Sequence, residues 1–90
     1  MPNVSVKKLD DSTFEVMVQG GTSTTHIVTV QPNYAARLCG GKALVEQLVS
    51  RSFDFLLARE QNTSILRRFD LPVIAQYFPE YEREITKMMQ

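Results

Sequence analysis

Residues 42–60 read KALVEQLVSRSFDFLLARE, and this stretch has the longest unbroken helical period in the chain. Its apolar residues recur at intervals of three and four, while polar residues occupy the opposite side. The apolar set comprises Leu44, Val45, Leu48, Val49, Phe53, Leu56 and Leu57. The pattern predicts an amphipathic helix that packs against the rest of the chain. Phe55 departs from the pattern, because it lies between Arg51 and Arg59 on the polar flank.

Three stretches ahead of this helix alternate apolar and polar residues, as half-buried strands do. They are residues 4–9, 13–19 and 24–31. Gly20 and Gly21 can adopt positive φ and predict a tight reversal between the second and third stretches. Ile27 falls on the face opposite His26 and Val28, so we expect the third strand to be central or covered on both faces. The pattern predicts a three-stranded antiparallel meander, which pairing with a second copy would extend.

Proline, glycine and capping residues divide the rest of the chain into short helical segments. These are residues 34–39, 65–69 and 73–78 and a terminal helix that begins at residue 79. We expect Gly40 and Gly41 to end the first segment, and Asp70 and Pro72 to start the third. The predicted fold is α+β, with a three-stranded antiparallel meander, one long amphipathic helix and short C-terminal helices in a single domain over residues 1–90.

The composition is that of one globular domain. Of the 90 residues, 43% are hydrophobic and 22% charged, which excludes the disordered class. Ten Lys and Arg balance ten Asp and Glu, so nucleic-acid binding would need a local basic patch. No apolar run reaches the ~20 residues that span a membrane, and the first residues lack a signal segment. The single cysteine fits a reducing compartment, so we expect a cytoplasmic protein.

The sequence contains no catalytic or cofactor-binding constellation. His26 is the sole histidine and has no second metal ligand near it in sequence. Cys39 falls at a predicted helix C-terminus, where the helix dipole disfavours a thiolate, so we expect a structural role. Gly40, Gly41 and Lys42 lack the spacing of a P-loop and predict a corner between helices. We therefore predict no catalytic, cofactor or metal site, and an enzyme is the least supported class.

Two overlapping sets of residues are candidate interaction surfaces. The first is the main basic cluster, which comprises Arg51, Arg59, Arg67 and Arg68. Acidic residues interleave with this cluster, so a solvated face with weak salt bridges is its simpler interpretation. The second set is a partner surface that comprises Phe55, Arg67, Arg68, Tyr77 and Tyr81. Aromatic anchors carry interface energy, but packing of the C-terminal helices onto the long helix is the alternative for these rings.

Three segments carry a resemblance to a known group of proteins. They are SILRRFDL at residues 64–71, YFPEY at residues 77–81 and THIVTV at residues 25–30. With these segments the chain resembles a family of small uncharacterised bacterial proteins of unknown function, over most of its length. The resemblance implies a bacterial cytoplasmic protein and transfers no active site. The order of strands before a helix is also similar to HicB-type antitoxins, a topological likeness without motif residues.

Two classes of function follow. The first is a small non-enzymatic protein-interaction or regulatory module that self-associates, because its small core leaves room for a partner to extend it. The alternative is a nucleic-acid-associated regulator that uses the cluster of Arg51, Arg59, Arg67 and Arg68. The expected partner is another protein or a second copy of the chain, with no cofactor and no membrane.

Overall fold

The computed structural model describes residues 3–39 and 45–89, which form one four-stranded sheet, four α-helices and a short 3-10 helix. The elements are β1 (Asn3–Lys8), β2 (Thr13–Gln19), β3 (Thr24–Thr29), α1 (Pro32–Cys39), α2 (Val45–Leu57), the 3-10 helix Asn62–Ser64, β4 (Arg68–Asp70), α3 (Val73–Tyr77) and α4 (Tyr81–Met88). The strand order is β1-β2-β3-β4. The first three strands are antiparallel, and β4 is parallel to β3.

The fold is α+β, but the predicted sheet is wrong, because a fourth strand follows the long helix and makes the sheet mixed. Residues 65–69, which were predicted as a helix, instead lead into β4. Two hydrogen bonds fix the strand: Ile27 N–H donates to Arg67 O at 2.7 Å, and Leu71 N–H donates to Thr29 O at 2.9 Å. The helices between β3 and β4 supply the long crossover that a parallel pair requires.

Only one face of the sheet is packed against helices in the described ranges. On β2, Phe14, Val16 and Val18 are buried on this face, as their alternation predicts. The opposite face is accessible, since Met17 is 41% exposed and Ile27 is half-buried. The strand β3 lies between β2 and β4 and is central in the sheet, as its pattern indicated. Its second face is accessible.

The amphipathic helix is confirmed over Val45–Leu57. Leu48, Val49 and Phe53 are fully buried, and the helix packs against β1 and β2. The first residues of the predicted helix, and Gly40 and Gly41 before it, lie outside the described residues. None of the described helices is both long enough and apolar enough to cross a membrane.

Phe55 packs against the C-terminal aromatic rings. It lies edge-on to Phe78 at 5.9 Å and to Tyr81 at 5.3 Å between ring centroids, and it is only 3% exposed. Beside it, Ser52 Oγ donates to Leu48 O and lies 2.7 Å from the Tyr81 hydroxyl. A serine hydroxyl has one proton, so Tyr81 donates to Ser52. These contacts join α4 to α2.

Candidate functional site

An apolar groove of about 310 Å³ opens beside β4, and we call it the β4 groove. Its lining comprises Leu56, Glu60 and Phe69 together with residues of the ranges 64–66 and 73–78. This volume is at the lower end of the range for ligand sites, which are also mostly apolar with a few polar groups. The groove is therefore a candidate binding site on the basis of both its size and its chemistry.

Two large apolar side chains of the β4 groove face solvent. Leu66 is 47% exposed and Tyr77 is 66% exposed, although both line the groove. Phe69, on the helix side of β4, is 8% exposed and forms part of the groove wall. Solvent-exposed apolar side chains that adjoin one concave site are typical of surfaces that bind a partner.

The β4 groove forms because the chain is held on both sides of the short strand. After β4, Leu71 and Ile74 are buried and anchor α3 on the core. Before β4, the chain is held by a buried imidazole, since His26 Nδ1 lies 2.8 Å from the carbonyl oxygen of Leu66. A carbonyl oxygen only accepts, so Nδ1 carries the proton and donates. The histidine therefore fixes the backbone of a residue that lines the groove.

His26 belongs to a hydrogen-bond chain that runs from β3 to the 3-10 helix. Asn62 Nδ2 donates to Thr22 O at 2.6 Å and to Thr24 Oγ1 at 3.0 Å. Thr24 Oγ1 lies 2.8 Å from His26 Nε2, and its own proton is free to be donated to that nitrogen. Phe53 packs on the imidazole with 5.3 Å between ring centroids. Both ring nitrogens are bonded, so His26 is a positioning residue.

Glu60 is the sole carboxylate among the described residues that line the β4 groove. The side chain is half-buried, and burial raises the pKa of its carboxyl above the usual range for glutamate. Across the described ranges, the ion pairs within 4 Å do not include Glu60. A carboxylate that is disfavoured by its surroundings and has no partner charge is a candidate for contact with a ligand.

The four arginines of the basic cluster differ in their surroundings. Arg51 forms an exposed ion pair with Asp54 at 3.4 Å. The Arg59 guanidinium lies 3.6 Å above the Phe55 ring centroid and donates to Phe55 O at 3.1 Å. Arg59 Nε is also 3.9 Å from a carboxylate oxygen of Glu80. Two of the four arginines are thus already engaged with the protein's own groups.

The two remaining arginines, Arg67 and Arg68, are exposed and take part in none of the ion pairs formed by the described residues. Arg67 precedes β4 and Arg68 is its first residue, and their chain neighbours Leu66 and Phe69 line the β4 groove. Of the predicted partner surface, Tyr77 also adjoins this groove, whereas Phe55 and Tyr81 are buried and do not present their rings to a partner in this conformation. Tyr77 therefore lies at the groove, whereas the register places Arg68 beside Ile27 on the other face of the sheet. Phe55 and Tyr81 form the support beneath.

Sequence reasoning missed Leu66 and Glu60. Ile65 and Leu66 are adjacent apolar residues, and only Ile65 is buried. This apolar pair was a sequence signal for an exposed apolar side chain. The helix predicted over residues 65–69, however, gave no reason to expect either side chain to be exposed. Glu60 is the last residue of the stretch that predicts the long helix. It lines the groove only because residues 64–66 fold back beside it.

In the described residues, no group of three or more His, Cys, Asp or Glu side chains is placed to hold a metal ion. Cys39 is the last residue of α1, and the residues Gly40, Gly41 and Lys42 of the predicted helix corner lie outside the described ranges. Comparisons with family models, with curated proteins and with solved structures found no match to this chain. The resemblances stated from the sequence therefore stay predictions.

The substitution Thr24→Val tests the hydrogen-bond chain. It keeps the shape of a buried side chain but leaves His26 Nε2 and Asn62 Nδ2 without their shared partner. We expect the free energy of unfolding to fall by about 1–3 kcal/mol. The matched control is Thr25→Val, at an exposed position on the other face, with an expected change within about 0.5 kcal/mol. Equal urea midpoints for the two variants would contradict a structural role of the chain.

The substitution Glu60→Gln tests the environment of the carboxylate. A raised pKa means that the folded protein holds this proton more tightly than the unfolded chain does, so ionisation of Glu60 lowers stability as pH rises through that range. We expect Glu60→Gln to be at least as stable as wild type at pH 7, with the difference shrinking in acid. The measurement is urea unfolding at several pH values, and a variant clearly less stable at pH 7 would contradict the assignment.

Proposed function

We propose that the protein is a small non-enzymatic interaction module that binds a partner protein through the β4 groove. The observation that carries the proposal is the pair Leu66 and Tyr77, which are 47% and 66% exposed in one apolar concavity. Burying such side chains contributes about 25 cal/mol per Å² of apolar surface removed from water. Binding of a partner over the groove is therefore favoured by the burial of apolar surface that is exposed to water in the free protein.

The charges at the β4 groove also favour a specific partner. Glu60 within the groove and the exposed Arg67 and Arg68 at β4 form no ion pairs with other described residues. Charged groups around an apolar centre set the orientation and the rate of association more than the affinity. An apolar centre with a polar, solvent-accessible rim is the usual anatomy of a protein interface.

Self-association and a cytoplasmic location belong to the same proposal. In the sheet formed by the described residues, the two outer strands are β1 (Asn3–Lys8) and β4. Pairing between the β1 strands of two copies would extend the sheet. The single cysteine and the resemblance to small bacterial proteins support a cytoplasmic location.

The test immobilises wild type and the double variant Leu66→Ser, Tyr77→Ser and compares the partner proteins that each captures from a cell lysate. We expect the variant to lose partners that wild type retains, because both anchors are removed. The control is Met17→Ser, which removes an exposed apolar side chain from the open sheet face. If the groove variant retains the same partners as Met17→Ser, the β4 groove is not the binding site.

Light scattering at micromolar concentration tests self-association separately. We expect a mass twice that of the chain. A strict monomer would remove self-association from the proposal and leave binding through the groove in place.

The alternative function, a nucleic-acid-associated regulator, depends on Arg67 and Arg68, because Arg51 and Arg59 already contact the protein's own carboxylates. Real phosphate contacts give affinity that falls by about 0.9 log units per log unit of salt for each phosphate neutralised on duplex DNA. Fluorescence anisotropy with duplex and single-stranded probes measures this slope. The double variant Arg67→Ala, Arg68→Ala should reduce it, and no binding of wild type at low salt would end this alternative.

A further inference from the structure

We propose that the β4 groove takes an extended segment of a different protein, which adds as a strand to the free edge of β4 and places a lysine or arginine beside Glu60. This inference rests on the proposed interaction function and names the form and the chemistry of the partner. It is carried by three features of the described residues: the direction of the β4 backbone groups, the position of the groove and the unpaired carboxylate.

The backbone of β4 has free hydrogen-bonding groups. Arg67 O accepts from Ile27 N–H, and Leu71 N–H donates to Thr29 O, so the main chain at positions 67, 69 and 71 faces β3. Successive residues of a strand point their N–H and C=O groups in opposite directions. The groups of Arg68 and Asp70 therefore point away from β3, at the last strand in the sheet order. The turn and loop hydrogen bonds of the described residues do not use them.

The β4 groove lies where an added strand would place its side chains. Phe69 points to the helix side of the sheet and lines the groove, and the other lining residues come from both flanks of β4 and from the end of α2. Alternate side chains of a strand paired with β4 would point to this same side. The backbone pairing supplies affinity and the pocket supplies selectivity, as in other proteins that bind peptides at a sheet edge.

The charges indicate what the added segment carries. Glu60 adjoins the apolar lining and has no ion pair in the described ranges, so a basic side chain next to apolar ones complements it. On the open face, Arg68 lies next to Ile27 in the register, and an acidic residue on the outward side of the segment complements this arginine. The expected segment alternates apolar or basic residues with polar or acidic ones.

A second copy of the chain fits the β4 groove less well than a different protein. Its free edge strand, β1, carries the alternating residues Val4 and Val6, but these already pack against the core of their own copy. They cannot enter a neighbour's groove without leaving that core. Addition of β1 to β4 would also join unlike edges, a head-to-tail contact that gives rings or open chains of molecules and not a dimer with one self-complementary interface.

The test selects linear twelve-residue peptides from a random phage-displayed library on immobilised wild type, and measures the binding of one synthetic winner by fluorescence anisotropy. We expect the winners to share apolar residues at alternate positions and a lysine or arginine on the same side. Methylation of backbone nitrogens along the peptide should weaken binding about tenfold at alternate positions, where an N–H donates to β4. Glu60→Gln should weaken binding and remove the preference for the basic residue.

The protein side of the pairing is tested by Arg68→Pro and its control Arg68→Ala. Proline removes the outward N–H of residue 68, and an edge strand tolerates it because that N–H is not used in the sheet. We expect Arg68→Pro to bind the peptide about tenfold more weakly than Arg68→Ala, since both lack the arginine side chain. If Arg68→Pro fails to fold, the methylated peptides still decide the question.

Three results would overturn the inference. The first is peptide binding that tolerates methylation at every backbone nitrogen. The second is capture of whole partners that depends on Leu66 and Tyr77 while the library yields no binding peptide; the proposed function would then stand and strand addition would fail. The third is a dimer of wild type that Arg68→Pro converts to a monomer, because the occupant of the edge would then be a second copy.

Discussion

The hydrogen bond from His26 Nδ1–H to the carbonyl oxygen of Leu66 fixes the place where the chain returns from the helical layer to the sheet. The imidazole is fully buried, so an unbonded nitrogen or carbonyl there would cost the desolvation of a polar group. Thr24 and Asn62 complete the chain of bonds on the other side of the ring. The start of β4 and the wall of the groove both depend on this buried polar group.

The sheet ends in β4, which is an edge strand beside an apolar groove. Such edges promote unwanted pairing between chains unless they are short or charged. The strand has three residues, and two of them are Arg68 and Asp70, which limits accidental pairing. Leu66 and Tyr77 remain exposed next to it, and Glu60 carries a charge that its surroundings disfavour. Exposed apolar side chains and a disfavoured carboxylate do not stabilise an isolated chain, and the binding that we propose for the β4 groove would make use of both.

The parts of the fold that were predictable are those with long local patterns. Leu48, Val49 and Phe53 repeat at helical spacing, and the alternation in β2 extends over its full length. The fourth strand was missed because three residues carry too little alternation, and its structure depends on pairing with β3, which lies about 40 positions earlier in sequence. For the candidate site, Tyr77 and the arginines were predicted from residue type. The roles of Glu60 and Leu66 depend on tertiary contacts that no local pattern contains.

Amide hydrogen exchange followed by NMR at single residues tests the central claim most directly, because it reports which backbone groups of β4 are bonded. The account predicts slow exchange for the amides of Ile27 and Leu71, which bond across the β3–β4 pair, and fast exchange for Arg68 and Asp70, which point to the free edge. Fast exchange at Leu71 together with Arg68 would mean that β4 is not formed. Slow exchange at Arg68 and Asp70 would mean that the edge is already covered, and either result would contradict the account.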